Sequence, residues 1–292
     1  MTRILVLGSG GMLGHKVLQR LSTEHTVVGT LRGAPGAKPY GAIPLFRDGA
    51  IVGGVDAADV STVSGAIEAS RPDVVVNCIG VIKQKDRDPE ANIAINALFP
   101  HRLVAHCSEH GIRVIHFSTD CVFNGRRGSY AEDDISDAED LYGRTKYLGE
   151  VADSEHVLTL RTSLVGRELT EFHSLLEWFL SQRGRVKGFR RAFFSGVTTN
   201  WMADLVARLI TEHPGVHGRY QVAGPRISKF DLLGVFAKAF GHKVEIVPED
   251  EFLLDRSLIG DRFTADTGLK APSWEDMVAV MAADPTPYEE WR

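Results

Sequence analysis

An apolar run, Arg3-Ile4-Leu5-Val6-Leu7, passes straight into glycines at positions 8, 11 and 14. Around and beyond them Met12, Leu13, Val17, Leu18 and Leu21 recur at helical spacing. Strand, glycine turn, helix is the opening of a βαβ unit. A strand that is apolar at almost every position has to be covered on both faces. That requirement leaves few architectures, chief among them a parallel sheet between two helical layers.

The alternation repeats along the chain. Residues 26–31 read as a second buried strand, and residues 33–54, rich in Gly, Pro and Ala, as an irregular connection. A helix is expected over 60–69, closed by Arg71-Pro72, then a strand over 73–77. Helical spacing over 93–110 ends at Gly111, a residue suited to the left-handed position after a helix. Residues 112–118 form a strand, 142–151 a helix and 158–162 a strand. Right-handed crossovers turn such a series into an α/β, doubly wound parallel sheet, the Rossmann class of dinucleotide-binding folds. Beyond residue 163 the pattern loosens: 172–180, 201–210 and 230–240 look helical and 220–223 looks like a strand. A length of 292 residues suits about two domains or one large α/β unit. The expected division is a dinucleotide-binding domain of 1–166 plus 196–223, and a smaller interleaved C-terminal substrate lobe of 167–195 plus 224–292.

The glycines have a physical use. They allow a tight turn and a close backbone approach, so that a helix N-terminus faces a pyrophosphate. The spacing is G-x-x-G-x-x-G; the stricter G-x-G-x-x-G would need glycine at 13, where Leu13 stands. The end of the second strand, Thr30-Leu31-Arg32, carries no carboxylate for a ribose 2′-hydroxyl. Arg32 can instead fork onto a 2′-phosphate, which favours NADPH, with NADH as the alternative. Asp56 is a candidate acceptor for the adenine amino group.

Tyr142-Gly143-Arg144-Thr145-Lys146 places a phenol and an ammonium four residues apart, on one face of a helix. A phenol is a poor acid or base at neutral pH, and a nearby lysine moves it toward the working range. Upstream, Ser118-Thr119-Asp120 sets hydroxyls at the carboxyl end of a parallel strand, where ligands bind in such sheets. A hydroxyl there can reach a substrate carbonyl beside Tyr142. Asn96, on the preceding helix, is a candidate for holding a water or backbone group that relays protons to Lys146.

Three segments together, Gly8/Gly11/Gly14, Ser118-Thr119-Asp120 and Tyr142/Lys146, with Asn77 and Asn96, resemble an extended short-chain dehydrogenase/reductase. The stretch 117–125, FSTDCVFNG, resembles the dTDP-4-dehydrorhamnose reductase branch, as do RPDVVVN at 71–77, LRTS at 160–163 and LKAPSW at 269–274. The resemblance implies a triad of Thr119, Tyr142 as proton donor and Lys146, the last also binding the nicotinamide ribose. It implies a cofactor site of Gly8, Gly11, Met12, Leu13, Gly14, Arg32, Asp56, Asn77, Cys78, Gly80, Asn96, Tyr142 and Lys146. Asp120 and Cys121 would approach the substrate. The implied reaction is NADPH-dependent reduction of the 4-keto group of a nucleotide-linked 6-deoxysugar. Cys121 stands where that branch commonly has tyrosine, and Asn77-Cys78-Ile79-Gly80 replaces its usual Asn-Ala-Ala-Ala. Two alternatives stand beside this reading: an NAD-retaining nucleotide-sugar epimerase or dehydratase of the same superfamily, and a non-catalytic regulator resembling the regulatory subunit of methionine adenosyltransferase.

Charge constrains the partners. Lys and Arg total 33 against 38 Asp and Glu, a net charge of −5, so no global field draws nucleic acid or an anionic membrane. A diphosphate would be met locally. Candidates are Arg183, Arg185, Lys187, Arg190 and Arg191, with Arg190 and Arg191 as the expected substrate contacts, and Arg256 and Arg262 further on. Glu132, Asp133 and Asp134 read as a solvated loop. Cys78, Cys107 and Cys121 cannot all pair within one chain, and none lies in a C-x-x-C, so no zinc or redox pair is expected. Cys121 reads as a buried, inert thiol. His101, His106 and His110 lack metal spacing, and no metal is expected. The expected compartment is the cytoplasm, with no membrane segment. Helices on such sheets often pair, which makes a homodimer compatible with the fold.

Overall fold

Along β1 (Arg3–Leu7), Ile4 and Val6 enter one apolar cluster, and Leu5 and Leu7 enter another. A computed structural model describes residues 1–47, 50–83, 88–170 and 172–291. It shows the same division in β4 (Val74–Asn77), where Val74 and Val76 face one cluster and Val75 the other. Successive strand residues point to opposite faces, so an unbroken apolar run marks a strand buried on both sides.

The remaining strands are β2 (Thr26–Thr30), β3 (Ala50–Val52), β4 (Val74–Asn77), β5 (Arg113–Thr119), β6 (Val157–Thr162), β7 (Leu164–Val165), β8 (Arg185–Phe189), β9 (Ala192–Phe194), β10 (Val197–Thr198), β11 (Gly218–Gln221), β12 (Ile227–Ser228), β13 (Glu245–Glu249) and β14 (Leu254–Asp255). Among the described residues, seven of them form one parallel sheet in the order β11-β6-β5-β4-β1-β2-β3. The order reverses between β1 and β4, which opens a crevice at their carboxyl ends. Gly8 follows β1, Cys78 to Gly80 follow β4, and Asp120 follows β5, so these segments share that edge.

The helices are α1 (Gly14–Leu21), α2 (Pro44–Arg47), α3 (Val60–Ser70), α4 (Pro89–Asn92), α5 (Phe99–Glu109), α6 (Leu141–Leu148), α7 (Leu175–Ser181), α8 (Thr199–Thr211), α9 (Lys229–Ala239), α10 (Asp261–Thr267), α11 (Trp274–Ala282) and α12 (Tyr288–Trp291). One face of the sheet is covered by α1 and α8, the other by α3 and α5. The first cluster continues without a break into α7, α9 and α11. The late chain also forms small sheets: β12-β9-β14, β13-β8 and β10-β7.

Several local expectations change. Within residues 33–54, expected to be irregular, the structure places α2, and β3 pairs in parallel with β2. Three residues ahead of Gly53-Gly54 give too short a run to stand out, and the pairing comes entirely from the neighbouring strand. The helix expected over 93–110 begins earlier, with Asp88 accepting from the Glu90 and Ala91 amides, and it passes through a π-helical turn, Ile93–Leu98. The basic stretch 182–191 is no loop: its centre is β8, paired in parallel with β13. Glu132 is not solvated but 6% exposed, and its carboxylate accepts the Gln221 amide at 3.2 Å. Among the described residues no helix is long and apolar enough to cross a membrane, and no cluster of His, Cys, Asp or Glu could hold a metal ion.

Candidate active site

The glycine turn is tied to the end of β2. The Gly8 amide donates to Thr30 Oγ1 at 3.1 Å, and the Ser9 amide donates to the Thr30 carbonyl at 3.0 Å. Gly8 has φ +76°, in the region that favours glycine, and a Cβ at Gly14 would overlap the Gly8 carbonyl oxygen. Leu13 packs its side chain into the core, whereas Gly11 is exposed and Met12 half-buried at the turn. Two residues past β2, Arg32 is exposed and has no side-chain partner among the described residues. Asp56, half-buried, turns its carboxylate onto the Ala58 amide at 2.9 Å. Tyr40 was not anticipated: its phenol lies against Gly10, in the space a Cβ there would fill.

At the end of β4, Asn77 is buried, bonded to His116 Nδ1 at 3.1 Å and to the Ile79 amide at 3.1 Å. The Cys78 amide donates to the Leu7 carbonyl, which stitches this turn to the first. Gly80 is exposed, and a Cβ there would meet only Asn96 Oδ1 at 3.4 Å and Lys146 Nζ at 3.9 Å. The two turns and this open place beside Lys146 form a cradle that fits a dinucleotide. Asn96 spends its side-chain amide on Val81, accepting from its amide at 2.9 Å and donating to its carbonyl at 2.9 Å. Its side chain therefore holds the 80–81 backbone beside Lys146.

The phenol and ammonium come from α6. Asp140 caps this helix, accepting the Gly143 amide at 2.7 Å. One turn apart, Tyr142 and Lys146 face the end of β5, and Lys146 Nζ donates to the Phe117 carbonyl at 2.6 Å. Burial lowers the Lys146 ammonium to about 8, against a smaller opposing pull from the Glu150 carboxylate. Burial also raises the Tyr142 phenol, with Cys121 and Asp120 adding to the rise and a bond from Thr119 opposing it. The expected lysine-driven lowering of the phenol is thus outweighed. Lys146 turns to a backbone carbonyl, and desolvation of the phenol dominates.

Thr119 and Ser118 part company. Thr119 accepts the Cys121 amide at 3.1 Å and donates to Asp120 Oδ1 at 3.1 Å. Ser118, on the opposite face of the strand, donates to Glu150 at 2.6 Å. Its hydroxyl is therefore not free to meet a carbonyl beside Tyr142. Glu150 also takes Arg161 through two bonds, 2.9 and 2.7 Å, and Arg219 at 3.3 Å. The Glu150 side chain is 1% exposed and that of Arg161 0%. Cys121 is half-buried at the pocket wall, and burial carries its thiol to about 12, so it is inert.

Of the expected basic groups, Arg256 reaches this edge. Arg190 is exposed and paired with Asp250, Arg185 is paired with Glu245, and Arg191 is exposed where the chain turns from β8 to β9. The cations that bear on Asp120 are Arg256 and Lys229. Arg256 donates to the Phe123 carbonyl at 2.9 Å and contacts Cys121 Sγ at 3.5 Å. It lines a cavity of about 290 Å³ with Cys121, Phe123, Asn124, Glu139 and Asp140. Lys229 was missed. No motif marks a lone lysine at the start of a helix, and only the pairing of β12 with β9 brings it here.

Comparisons with known proteins agree with this fold. The chain is 28% identical over 308 residues, covering 95% of this chain and 96% of its relative, to a probable low-salt glycan biosynthesis reductase of Haloferax volcanii. It is 31% identical, over 74% of this chain and 69% of its relative, to a probable dTDP-4,6-dihydroxy-2-methyloxan-3-one 4-ketoreductase of Streptomyces antibioticus. The crystal structure of dTDP-4-dehydrorhamnose reductase from Bacillus anthracis in complex with NADP superposes with a TM-score of 0.79 at 19% identity, covering 98% of this chain and 100% of that one. The family model described as RmlD substrate binding domain matches residues 1–284, and the chain belongs to that family of sugar-nucleotide 4-ketoreductases.

Proposed function

We propose that this protein is an NADPH-dependent reductase of the 4-keto group of a nucleotide-linked 6-deoxysugar, resembling dTDP-4-dehydrorhamnose reductase. The observation that carries the reading is the meeting of Thr119, Tyr142 and Lys146 beside the open cradle at Gly80. When bound, the reduced dinucleotide supplies the hydride for the carbonyl carbon. Tyr142 keeps its proton at neutral pH, because burial raises the phenol, and it gives that proton to the carbonyl oxygen. Thr119 donates a hydrogen bond to the same oxygen as negative charge grows there. To do so it turns from its present bond to Asp120. Lys146 holds the ribose side of the cradle while bonded to the Phe117 carbonyl. The expected set of Gly8, Gly11, Met12, Leu13, Gly14, Asn77, Cys78, Gly80 and Asn96 lines the two turns or braces them, and Arg32, exposed just past β2, would meet an adenosine 2′-phosphate.

The first test is a titration of the purified protein with NADPH and NADH, followed by nicotinamide fluorescence. NADPH should be preferred. Arg32→Ala should weaken NADPH roughly 10- to 100-fold, the worth of about 1.5–3 kcal/mol for a charge-assisted contact, and leave NADH unchanged. Equal affinities for the two cofactors in the wild type would sink the assignment of Arg32. Cofactor that co-purifies and does not exchange would favour an epimerase or dehydratase.

A pH dependence follows from Lys146. With its ammonium at about 8, the free protein loses this charge at mildly alkaline pH. Values of kcat/KM should therefore decline above about pH 8, and Lys146→Arg, whose guanidinium stays charged, should remove that limb. A profile that stays flat well past that pH in the wild type would contradict a required ammonium.

A further inference from the structure

Two cations approach the catalytic edge from the late chain, on either side of one short strand. In the small sheet β12-β9-β14, Ser228 pairs with Phe193 from one side and Asp255 pairs with Phe193 from the other. Lys229 and Arg256 are the residues immediately after each flanking strand. The topology thus delivers an ammonium and a guanidinium to the neighbourhood of Asp120, directly after Thr119.

The charges there do not close on themselves. Asp120 is 6% exposed and forms no ion pair among the described residues. Lys229 Nζ lies 4.1 Å over the Phe194 ring and donates to no oxygen among the described residues. Arg256 uses Nε on the Phe123 carbonyl and Nη1 on Cys121, which leaves Nη2 directed at no acceptor. The other carboxylates lining the adjoining cavity are already matched: Asp140 with Lys83, and Glu139 with Arg126. Two cations therefore bear on one carboxylate, which directly follows Thr119 in the chain, with one positive charge in excess. A desolvated ammonium without an acceptor is costly, and an incoming oxyanion relieves that cost.

We propose that Lys229, with the free edge of Arg256, is a specificity-determining subsite for an anionic oxygen of the substrate, while Asp120 accepts a sugar hydroxyl beside it. The inference rests on the nucleotide-sugar reading above. The shared chemistry is an oxyanion, and its two sources are the diphosphate and a carboxylate carried by the sugar. The subsite belongs to this chain's late segment, and the basic stretch 182–191 has no part in it.

The test measures binding of dTDP, dTDP-glucose and dTDP-glucuronate by calorimetry in the presence of NADPH, for the wild type, Lys229→Met and Lys229→Arg. None of these probes has a 4-keto group, so binding is read without turnover. Lys229→Met should weaken binding about tenfold or more, as loss of one charge-assisted contact does, and Lys229→Arg should restore most of it. An equal loss for all three probes supports the inference with the diphosphate as source. A loss confined to dTDP-glucuronate supports it with the sugar carboxylate as source. Unchanged binding of all three in Lys229→Met overturns the inference and leaves the proposed function standing. A wild type that binds NADPH but none of the probes overturns the nucleotide-sugar reading and the subsite with it. NADPH affinity and melting temperature, unchanged in both variants, guard against misfolding as the cause.

Discussion

Tyr142→Phe should lower kcat by about two to four orders of magnitude, the usual worth of a positioned general acid, while NADPH affinity stays as it was. The substitution removes one hydroxyl from a side chain that is otherwise held by packing on α6, whose cap at Asp140 is untouched. The ring remains, so the cradle at Gly80 and the Lys146 bond to the Phe117 carbonyl remain. Consumption of NADPH with a 4-keto nucleotide sugar reads the effect directly, and fluorescence titration reads the cofactor separately. This pair of readings also separates a reductase from a regulatory protein. A reductase loses turnover and keeps cofactor. A regulatory protein keeps its effect on a partner regardless of the phenol. Turnover retained within a few fold in Tyr142→Phe would remove Tyr142 from the chemistry and with it the proposed mechanism.

Glu150→Ala should cost about 3–5 kcal/mol of stability, the price of leaving a buried charge uncompensated. Glu150 is the single carboxylate between Arg161, whose side chain is fully buried, and Arg219. Arg161 already lacks a hydrogen-bond partner for Nη1, and no second carboxylate forms an ion pair with it among the described residues. Against a typical total of about 5–15 kcal/mol, that loss brings the protein near its unfolding threshold. Ser118 would lose its acceptor as well, at the end of the strand that carries Thr119. Urea denaturation checks the expectation: the midpoint should fall sharply with the slope retained. A change of under about 1 kcal/mol would mean that water enters and solvates Arg161, so that the network stabilises far less than its burial suggests.

The parts of the site that were legible in the sequence are those built within one strand, turn or helix. Gly8 and Gly14 follow a buried strand and open a helix, and their spacing alone implies a turn tight enough for a phosphate. Tyr142 and Lys146 are neighbours by helical periodicity alone. Six of the seven strands of the main sheet follow from apolar runs alternating with helices, whereas β3 does not, because three residues carry no periodicity of their own. The choice between Ser118 and Thr119 is of a different kind. Two adjacent hydroxyls at a strand end face opposite sides, and their order in the chain does not say which side holds the pocket. The answer depends on Glu150, which lies 32 residues away in the chain and claims Ser118.

By itself the sequence determined the class of fold, the order of strands and helices, and the residues able to act as hydroxyl, phenol and ammonium. Each of these depends on contacts between residues a few positions apart, where spacing is geometry. Tertiary structure alone decided which hydroxyl faces Tyr142, that the phenol is raised rather than lowered, and that Glu150, Arg161 and Arg219 share one buried network. It also decided that Lys229 and Arg256, rather than the basic stretch around Arg190, bear on Asp120. The physical reason is common to all of them: burial and the facing of charges are set by strands and helices that meet across the fold, and such long-range juxtaposition leaves no local pattern in the chain.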